Sequence, residues 1–555
     1  MARLFWSFDD IFKEYGNDWS KAEDFEVASN SSEPIDLSNV KFPKRKNFIK
    51  AISLAGYSDI IMPAIDYSFY DFSNVNFRHF IFKKGTIFPK DKYLFKGIFD
   101  HKIEYCKFEG VDLSYYDFKQ TIFSFVNFSD DCLIPKDFFM DCDFSLCKLP
   151  KKDYRKYKFK DFNIRCSEIP NGSLLPRNFF AEAEEYGLEE TTLPDVDMNE
   201  FDFENVKLKR MSFSKNSKMH KDLEFFQKLK EFKIVSLPKW DYSKYDFSNI
   251  DVRESSFTED SILPKNFFDV IEDKSVYRTV LPEMDYSEFN LNGVCIDYAY
   301  FPPKSKLPRN EDFFVNLENS YIEGVYLPNC DYTVYNFKDI LYMAALRFHD
   351  GAIINQELLD IACKYRETRS KYYSSSDRYI VKYPAMDYSN FNFKTILLTG
   401  SIFPKDSILP KDKDFFRYIN ISNAYGDKAK FPIGDYRNRN FKDVDFSLIE
   451  FHKEALLPEY EDFLLDINSK FIVGFSKNED DINYFYMTDN MVKNIHNYNI
   501  NNLVVNISDC GDILTEEQIS ILNIKYKNQI GKNIKLPKSL NIDKPIKKES
   551  NEITL

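Results

Sequence analysis

Apolar residues recur along this chain in steps of five. From Tyr67 the step gives Phe72, Phe77, Phe82 and Ile87; from Tyr242 it gives Phe247, Val252, Phe257 and Ile262. Walks from Leu113 (Phe118, Phe123, Phe128, Leu133), Tyr388 (Phe393, Leu398, Phe403, Ile408) and Tyr436 (Phe441, Phe446, Phe451, Leu456) hold equally long. Those from Met198 and Tyr286 lose the fifth position, and the stretches after Asp153 and Asp331 drift sooner. A helix repeats about every 3.6 residues and a strand every 2, so neither carries this period. A coil that turns a corner at each pentad does, and its inward rungs are the residues just named.

A longer period encloses the short one. The first aspartate of each phrase falls at Asp66, Asp112, Asp153, Asp197, Asp241, Asp285, Asp331, Asp387 and Asp435, with gaps of 46, 41, 44, 44, 44, 46, 56 and 48 residues. Tandem units of roughly 44 residues indicate a solenoid or propeller. "DLSNVKF" at Asp36 reads as a partial earlier copy. Each unit then passes through a second phrase, such as "ILPKNFFDVIEDKSVYRTVLP" from Ile262. Pro before Phe-Phe and a polar tail predicts a short helix or turn, and "VYRTVLP" a short strand ended by Pro. A unit is therefore expected to be two coils, one regular and one with a helical corner. Some twenty coils about 4.8 Å apart would make a rod on the order of 100 Å long.

The phrases Asp241-Tyr242-Ser243, Asp246-Phe247-Ser248, Asn76-Phe77-Arg78, Asn392-Phe393-Lys394 and Asp445-Phe446-Ser447 resemble the pentapeptide-repeat family, over about residues 35–460. The resemblance implies a mainly β fold: a right-handed, four-sided β-helix with the central Leu or Phe buried. One departure stands out. Where that family places Ala or Cys two residues before the central position, this chain has Trp240, Tyr245, Ile250, Ile65, Tyr70, Val75, Met284 and Phe289. Such large groups do not fit a narrow close-packed lumen, so they are expected to lie beneath the Leu-Pro-Phe-Phe helices. A leucine-rich-repeat layout of "IDVRESSFTEDSILPKNFF" is the rival, and the strict step of five disfavours it.

The ends differ from the middle. Residues 1–34 supply "LFWSFDDIFKEY", an amphipathic cap helix; residues 35–464 are the solenoid of about ten units; residues 351–382 are an insertion expected to protrude; residues 465–540 read as a small α/β cap or domain; residues 541–555 read as a flexible tail. In the cap, "KFIVGF" and "NNLVVNIS" predict strands, and "MTDNMVKNIHNY" and "LTEEQISILNI" predict helices, the latter opened by a Thr515/Gln518 capping box.

Composition narrows the function classes. Net charge is −13, from 75 basic and 88 acidic side chains, which argues against direct nucleic-acid binding and for solubility and a basic partner. Aromatics at 17% demand a large buried surface. Nine cysteines with no C-x-x-C pair favour a reducing, cytoplasmic compartment over a disulfide framework or zinc site. The N-terminus is no signal peptide, and no apolar run reaches the roughly 18 residues of a membrane span.

No catalytic constellation emerges. The six histidines show no metal spacing; "HDG" at His349 reads as a loop; "GFSKN" from Gly474 lacks the closing Gly of a nucleophile elbow; "QIGKN" around Gly531 lacks a phosphate loop's other residues. Catalytic, cofactor and metal residues are therefore expected to be none. The candidate interaction feature is an acidic ladder of the nine aspartates from Asp66 to Asp435, whose plainer role is to bond backbone N–H groups at corners. Tyr372 and Tyr373 in the insertion are candidate protruding contacts. The expected function is a non-catalytic intracellular protein–protein scaffold or inhibitor of bacterial or phage type, with another protein as partner and no membrane. The resemblance implies an alternative: an acidic DNA mimic that binds a DNA-processing enzyme such as DNA gyrase. A second alternative is an enzyme activity housed in the C-terminal segment.

Overall fold

The computed structural model describes residues 5–22, 26–27, 34–53, 59–183, 187–318, 321–338, 340, 342–364, 381–394, 396, 398, 400–418, 428–442, 444–466, 471–473, 484–500, 503–508, 510, 513–530 and 532–535. They fall into two compact units, Met1–Pro282 and Glu283–Leu555.

In the first unit the strands are mostly two or three residues long, and every pairing is parallel. One ladder joins Ile35–Asp36, Ile60–Ile61, Phe80–Phe82, Lys107–Phe108 and Asn127–Phe128. Single bridges carry it on through Lys148, Glu168, Thr192, Ser212, Ser236 and Ser256 to Val280. The chain comes back beside itself after 20 residues (Ile60 to Phe80) or 26 (Ile81 to Lys107), and these short and long passes mostly alternate. The alternation fails once, at Asn127 to Lys148, inside the shortest unit of the sequence. A second ladder joins Phe77–Arg78, Lys102–Glu104, Ile122–Ser124 and Asp143–Ser145.

Each pass turns through a left-handed corner. The column runs from His79 (φ 62°) and Tyr105 (53°) through Phe125, Leu146, Cys166, Glu190, Arg210, Ile234 and Glu254 to Arg278 (54°). A non-glycine residue in this region costs about 1–2 kcal/mol. The strain is held by hydrogen bonds to the next pass: His79 N–H to Glu104 O at 3.0 Å, Tyr105 N–H to Ser124 O at 2.8 Å, Phe125 N–H to Ser145 O at 2.9 Å.

The inward rows follow the step of five for four positions. Tyr67, Phe72, Phe77 and Phe82 are all buried, but the fifth position, Ile87, is 52% exposed and Phe88 is buried in its place. Leu133, Ile262 and Ile408 are likewise exposed, while Ile134, Leu263 and Leu409 are buried. The reason is register. Asp66 bridges Ile87 and Asp241 bridges Ile262, so this pass closes on 21 residues rather than 20. Ile87 therefore inherits the outward place of Asp66, and Phe88 the inward place of Tyr67.

Of the large residues at the small-residue position, Tyr70 and Tyr245 are buried against helical corners, whereas Ile65, Trp240 and Met284 are only half-buried. Tyr70 meets Phe48, in the helix Phe48–Ile52, at 6.5 Å between rings. Tyr245 meets Phe226, in the helix Phe225–Lys228, at 6.1 Å. At the N-terminus the helix Phe8–Tyr15 is opened by a Ser7/Asp10 capping box and packs on buried Trp19, which also meets Phe42 and Phe48.

The second unit has a six-stranded parallel ladder through Tyr326–Leu327, Arg347–Phe348, Val381–Lys382, Ser401–Ile402, Ala429–Phe431 and Ile449–Phe451. The step from Arg347 to Lys382 spans 35 residues and includes the helix Gln356–Lys364 of the insertion. At the C-terminal end a parallel sheet orders Tyr484–Tyr486, Phe471–Val473, Val504–Asn506 and Ile534–Lys535, with helices Asp489–Lys493 and Glu516–Lys525. Gln518 N–H donates to Thr515 Oγ1 at 3.2 Å, and Thr515 N–H to Gln518 Oε1 at 2.8 Å.

Phe247 is 1% exposed and touches the rings of Phe226, Tyr242, Phe257 and Phe267. Phe247→Ala is expected to destabilise by about 3–5 kcal/mol in denaturant unfolding. Tyr242→Phe, which removes only a buried hydroxyl bonded to the Pro238 carbonyl, is expected to cost about 1–2 kcal/mol.

Candidate functional site

Seven of the nine ladder aspartates sit in a repeated phrase, Pro-x-x-Asp-Tyr; Asp112 is followed by Leu113 and Asp197 by Met198. Buried tyrosines need a partner for the hydroxyl, and the proline four residues earlier supplies it. Tyr67 donates to Pro63 O at 2.6 Å, Tyr242 to Pro238 O at 2.7 Å, Tyr332 to Pro328 O at 2.7 Å, Tyr388 to Pro384 O at 2.7 Å and Tyr436 to Pro432 O at 3.0 Å. Tyr154 bonds Pro150 O in the same way. The clasp fixes the backbone on either side of the aspartate.

Every one of the nine closes an Asx turn. Oδ1 accepts the N–H two residues on: Ser68 on Asp66 at 2.8 Å, Ser114 on Asp112 at 3.0 Å, Arg155 on Asp153 at 3.1 Å, Asn199 on Asp197 at 3.1 Å and Ser243 on Asp241 at 3.0 Å. In the second unit Ser287 bonds Asp285 at 3.0 Å, Thr333 bonds Asp331 at 2.9 Å, Ser389 bonds Asp387 at 2.8 Å and Arg437 bonds Asp435 at 3.1 Å. Hydrogen bonds to the charged form hold most of these carboxyls low, as Ser68 does for Asp66. Arg155 brings Asp153 down to about 2, and Arg437 brings Asp435 to about 2. Asp197 and Asp285 pair with Lys218 and Lys306 at 3.4 and 2.9 Å.

The outward face carries more than acid. Each aspartate bridges a residue one pass on: Ile87, Leu133, Leu174, Lys218 and Ile262 in the first unit, and Lys306, Ile353, Ile408 and Leu456 in the second. Ile87, Leu133, Leu174 and Ile262 are 44–52% exposed, and Ile353 and Ile408 are 48% and 50% exposed. The row is thus Asp alternating with an aliphatic group at seven places and with Lys218 and Lys306 at the other two. Backbone bonds from Asp117 N–H to Lys92 O (2.8 Å) and from Asp246 N–H to Leu223 O (3.1 Å) carry the stacking on into the next aspartate pass. Three residues beyond the alternate positions stand exposed Lys90, Lys136, Arg177 and Lys221, with Arg309 and Lys411 in the second unit. Sequence reasoning put Ile87, Leu133, Ile262 and Ile408 inside and took "LPK" and "LPR" only as helix starts. The doubled apolar pair in "IFP", "LIP" and "ILP" was the available signal, since only one of two adjacent extended residues can face inward. Tyr372 and Tyr373 lie outside the described residues.

Conventional chemistry finds little support among the described residues. No cluster of three metal-ligating side chains is present there. His349 contacts the Phe301 carbonyl at 3.1 Å and the Tyr300 ring, with burial lowering its pKa. The thiols of Cys106, Cys142 and Cys147 are pushed up to about 12 by burial, away from nucleophilic use. "GFSKN" and Gly531 lie outside the described residues. A pocket lined by Phe180, Leu188, Val206, Glu189, Glu204 and Lys230 brings no His, Cys, Ser or Tyr to its wall. No described helix is long and apolar enough to cross a membrane.

If the ladder aspartates serve their corners, Asp241→Asn should leave stability nearly unchanged, because an amide oxygen accepts the same bond, whereas Asp241→Ala should cost about 1 kcal/mol in denaturant unfolding. Asp297 contributes a pH dependence of the opposite sign to that of the ladder carboxyls. Burial, reinforced by Glu323 and Glu318, raises Asp297 to about 6 against the Glu323 N–H that it accepts at 2.8 Å. The folded chain therefore holds this proton more tightly than the unfolded chain, and the contribution of Asp297 to stability falls as pH rises from about 4 to 6. Asp297→Asn should raise stability at pH 7–8 by roughly 1–2 kcal/mol, a gain that vanishes near pH 4 in melting curves. No family model, no curated protein and no solved structure matches this chain.

Proposed function

We propose that the chain is a non-catalytic protein-interaction scaffold, built as a β-solenoid of about ten two-pass units. The observation that carries this reading is the exposed aliphatic row, Ile87, Leu133, Leu174 and Ile262, set between aspartates at a fixed repeat. Side chains half exposed at the same position of four units leave apolar surface that the fold does not cover. A regular apolar stripe rimmed by charge is what a binding face presents. The parallel return every 20–26 residues supports the solenoid, because it builds such a row from one local phrase.

The DNA-mimic reading fits less well. A mimic of the phosphate backbone needs an unbroken acidic field, and here Lys90, Lys136, Arg177 and Lys221 stand close beside the aspartates. Four ladder aspartates are also paired with Arg or Lys within the chain.

Affinity capture from the source cells tests the scaffold. The parent chain is expected to retain a defined protein that Ile87→Glu/Leu133→Glu loses, while the melting temperature stays the same. Equal capture by parent and variant would refute the apolar row as the binding face.

A further inference from the structure

We infer that the unit Met1–Pro282 binds a second copy of itself through this face, about a twofold axis that runs along the stacked passes. The inference rests on the binding-face reading above and names its partner.

Two rows lie side by side at one corner of the unit. The first is Asp66, Ile87, Asp112, Leu133, Asp153 and Leu174, continuing to Ile262. The second, three residues on in each pass, holds the exposed bases Lys90, Lys136, Arg177 and Lys221. In the first two aspartate passes it also carries Phe69 and Tyr115, 47% and 54% exposed, and in the next three the exposed Lys156, Glu200 and Lys244. One row is acidic and aliphatic apart from Lys218, and its neighbour basic and aromatic apart from Glu200. A twofold axis parallel to the rows sets each acidic row against the other copy's basic row, with both contacts made at once.

The register favours this match. In the first passes the basic residues fall between the aspartate levels, so Asp112 of one copy lies level with the gap between two bases of the other; further along, Asp153 and Asp241 lie level with Lys156 and Lys244, and Asp197 with Glu200. Asp112 then sits between Lys90 and Lys136 of the other copy, each about 4.8 Å away along the stack. The apolar members fill the same interdigitation: Ile87 faces the level between Phe69 and Tyr115 of the other copy. Asp153 and Asp197 already pair with Arg155 and Lys218 at 2.7 and 3.4 Å within the chain, so the cross-copy pairs fall mainly to Asp66, Asp112 and Asp241. Ten passes contribute about twenty residues a side, the lower end of a standard interface. A contact of this kind is of moderate strength and weakens with salt.

Sedimentation velocity of the full chain at rising concentration, at low and high ionic strength, tests the inference. The expected result is a reversible dimer at low ionic strength that dissociates as salt is added. Lys90→Glu/Lys136→Glu/Lys221→Glu should weaken it by about tenfold or more, with an unchanged far-ultraviolet spectrum. Leu133→Ser, milder and exposed, should weaken it without altering the melting temperature. Zero-length carbodiimide coupling of mixed heavy- and light-isotope chains should join Asp112 of one copy to Lys90 or Lys136 of the other. A chain that stays monomeric throughout, or a dimer indifferent to the triple change, overturns the inference. A monomer whose capture of another protein still depends on Ile87 and Leu133 overturns only the second copy as partner. A monomer that captures nothing sinks the binding face as well.

Discussion

A chain that bends every five residues cannot satisfy its backbone with long strands, and the Asx turn is what lets it bend. Strands of two or three residues leave many N–H groups at corners. Each ladder aspartate accepts one of them, and Asp71, Asp117, Asp202 and Asp246 do the same five residues later. The carboxylate takes the bond outside while the next residue, Tyr or Phe, turns inside. Polar satisfaction and core formation are thus two faces of one dipeptide, and losing the first misdirects the second.

The interior obeys the same economy of position. The tyrosine that follows the aspartate is fully buried yet polar, and the proline carbonyl four residues back meets its hydroxyl. Where Leu113 replaces the tyrosine, Glu109 stands in the place of the proline, whereas Met198 replaces the tyrosine with Pro194 kept. Rings of the helical corners then close over Tyr70 and Tyr245, which accounts for aromatic bulk at a position that a narrower coil would leave small. With the interior so regular, variation is free to collect on the outer rows, where Ile, Leu and Lys share the position facing the aspartates.

Much of this was legible in the sequence. The step of five marked Tyr67, Phe72, Phe77 and Phe82 as one buried row, and the Asp-Tyr phrase marked the repeat. The step failed at the fifth position because a pass that includes "IFP" or "ILP" holds one residue more than four pentads, and counting alone does not show which of two adjacent apolar residues turns in. That single slip hid the exposed row, since Ile87, Leu133 and Ile262 were assigned to the core. The left-handed column was hidden for another reason: after His79 its residues are Tyr, Phe, Leu, Cys, Glu, Arg and Ile, none of which advertises a positive φ.

That column sets the order in which the chain can take shape. His79 is held by the carbonyl of Glu104, Tyr105 by Ser124 and Phe125 by Ser145, so in each case the acceptor lies later in the chain. A strained corner is held in place only by a carbonyl that a ribosome delivers one pass afterwards. Folding during synthesis must trail translation by a full pass, leaving one open, unsettled turn at the growing tip until the next is delivered.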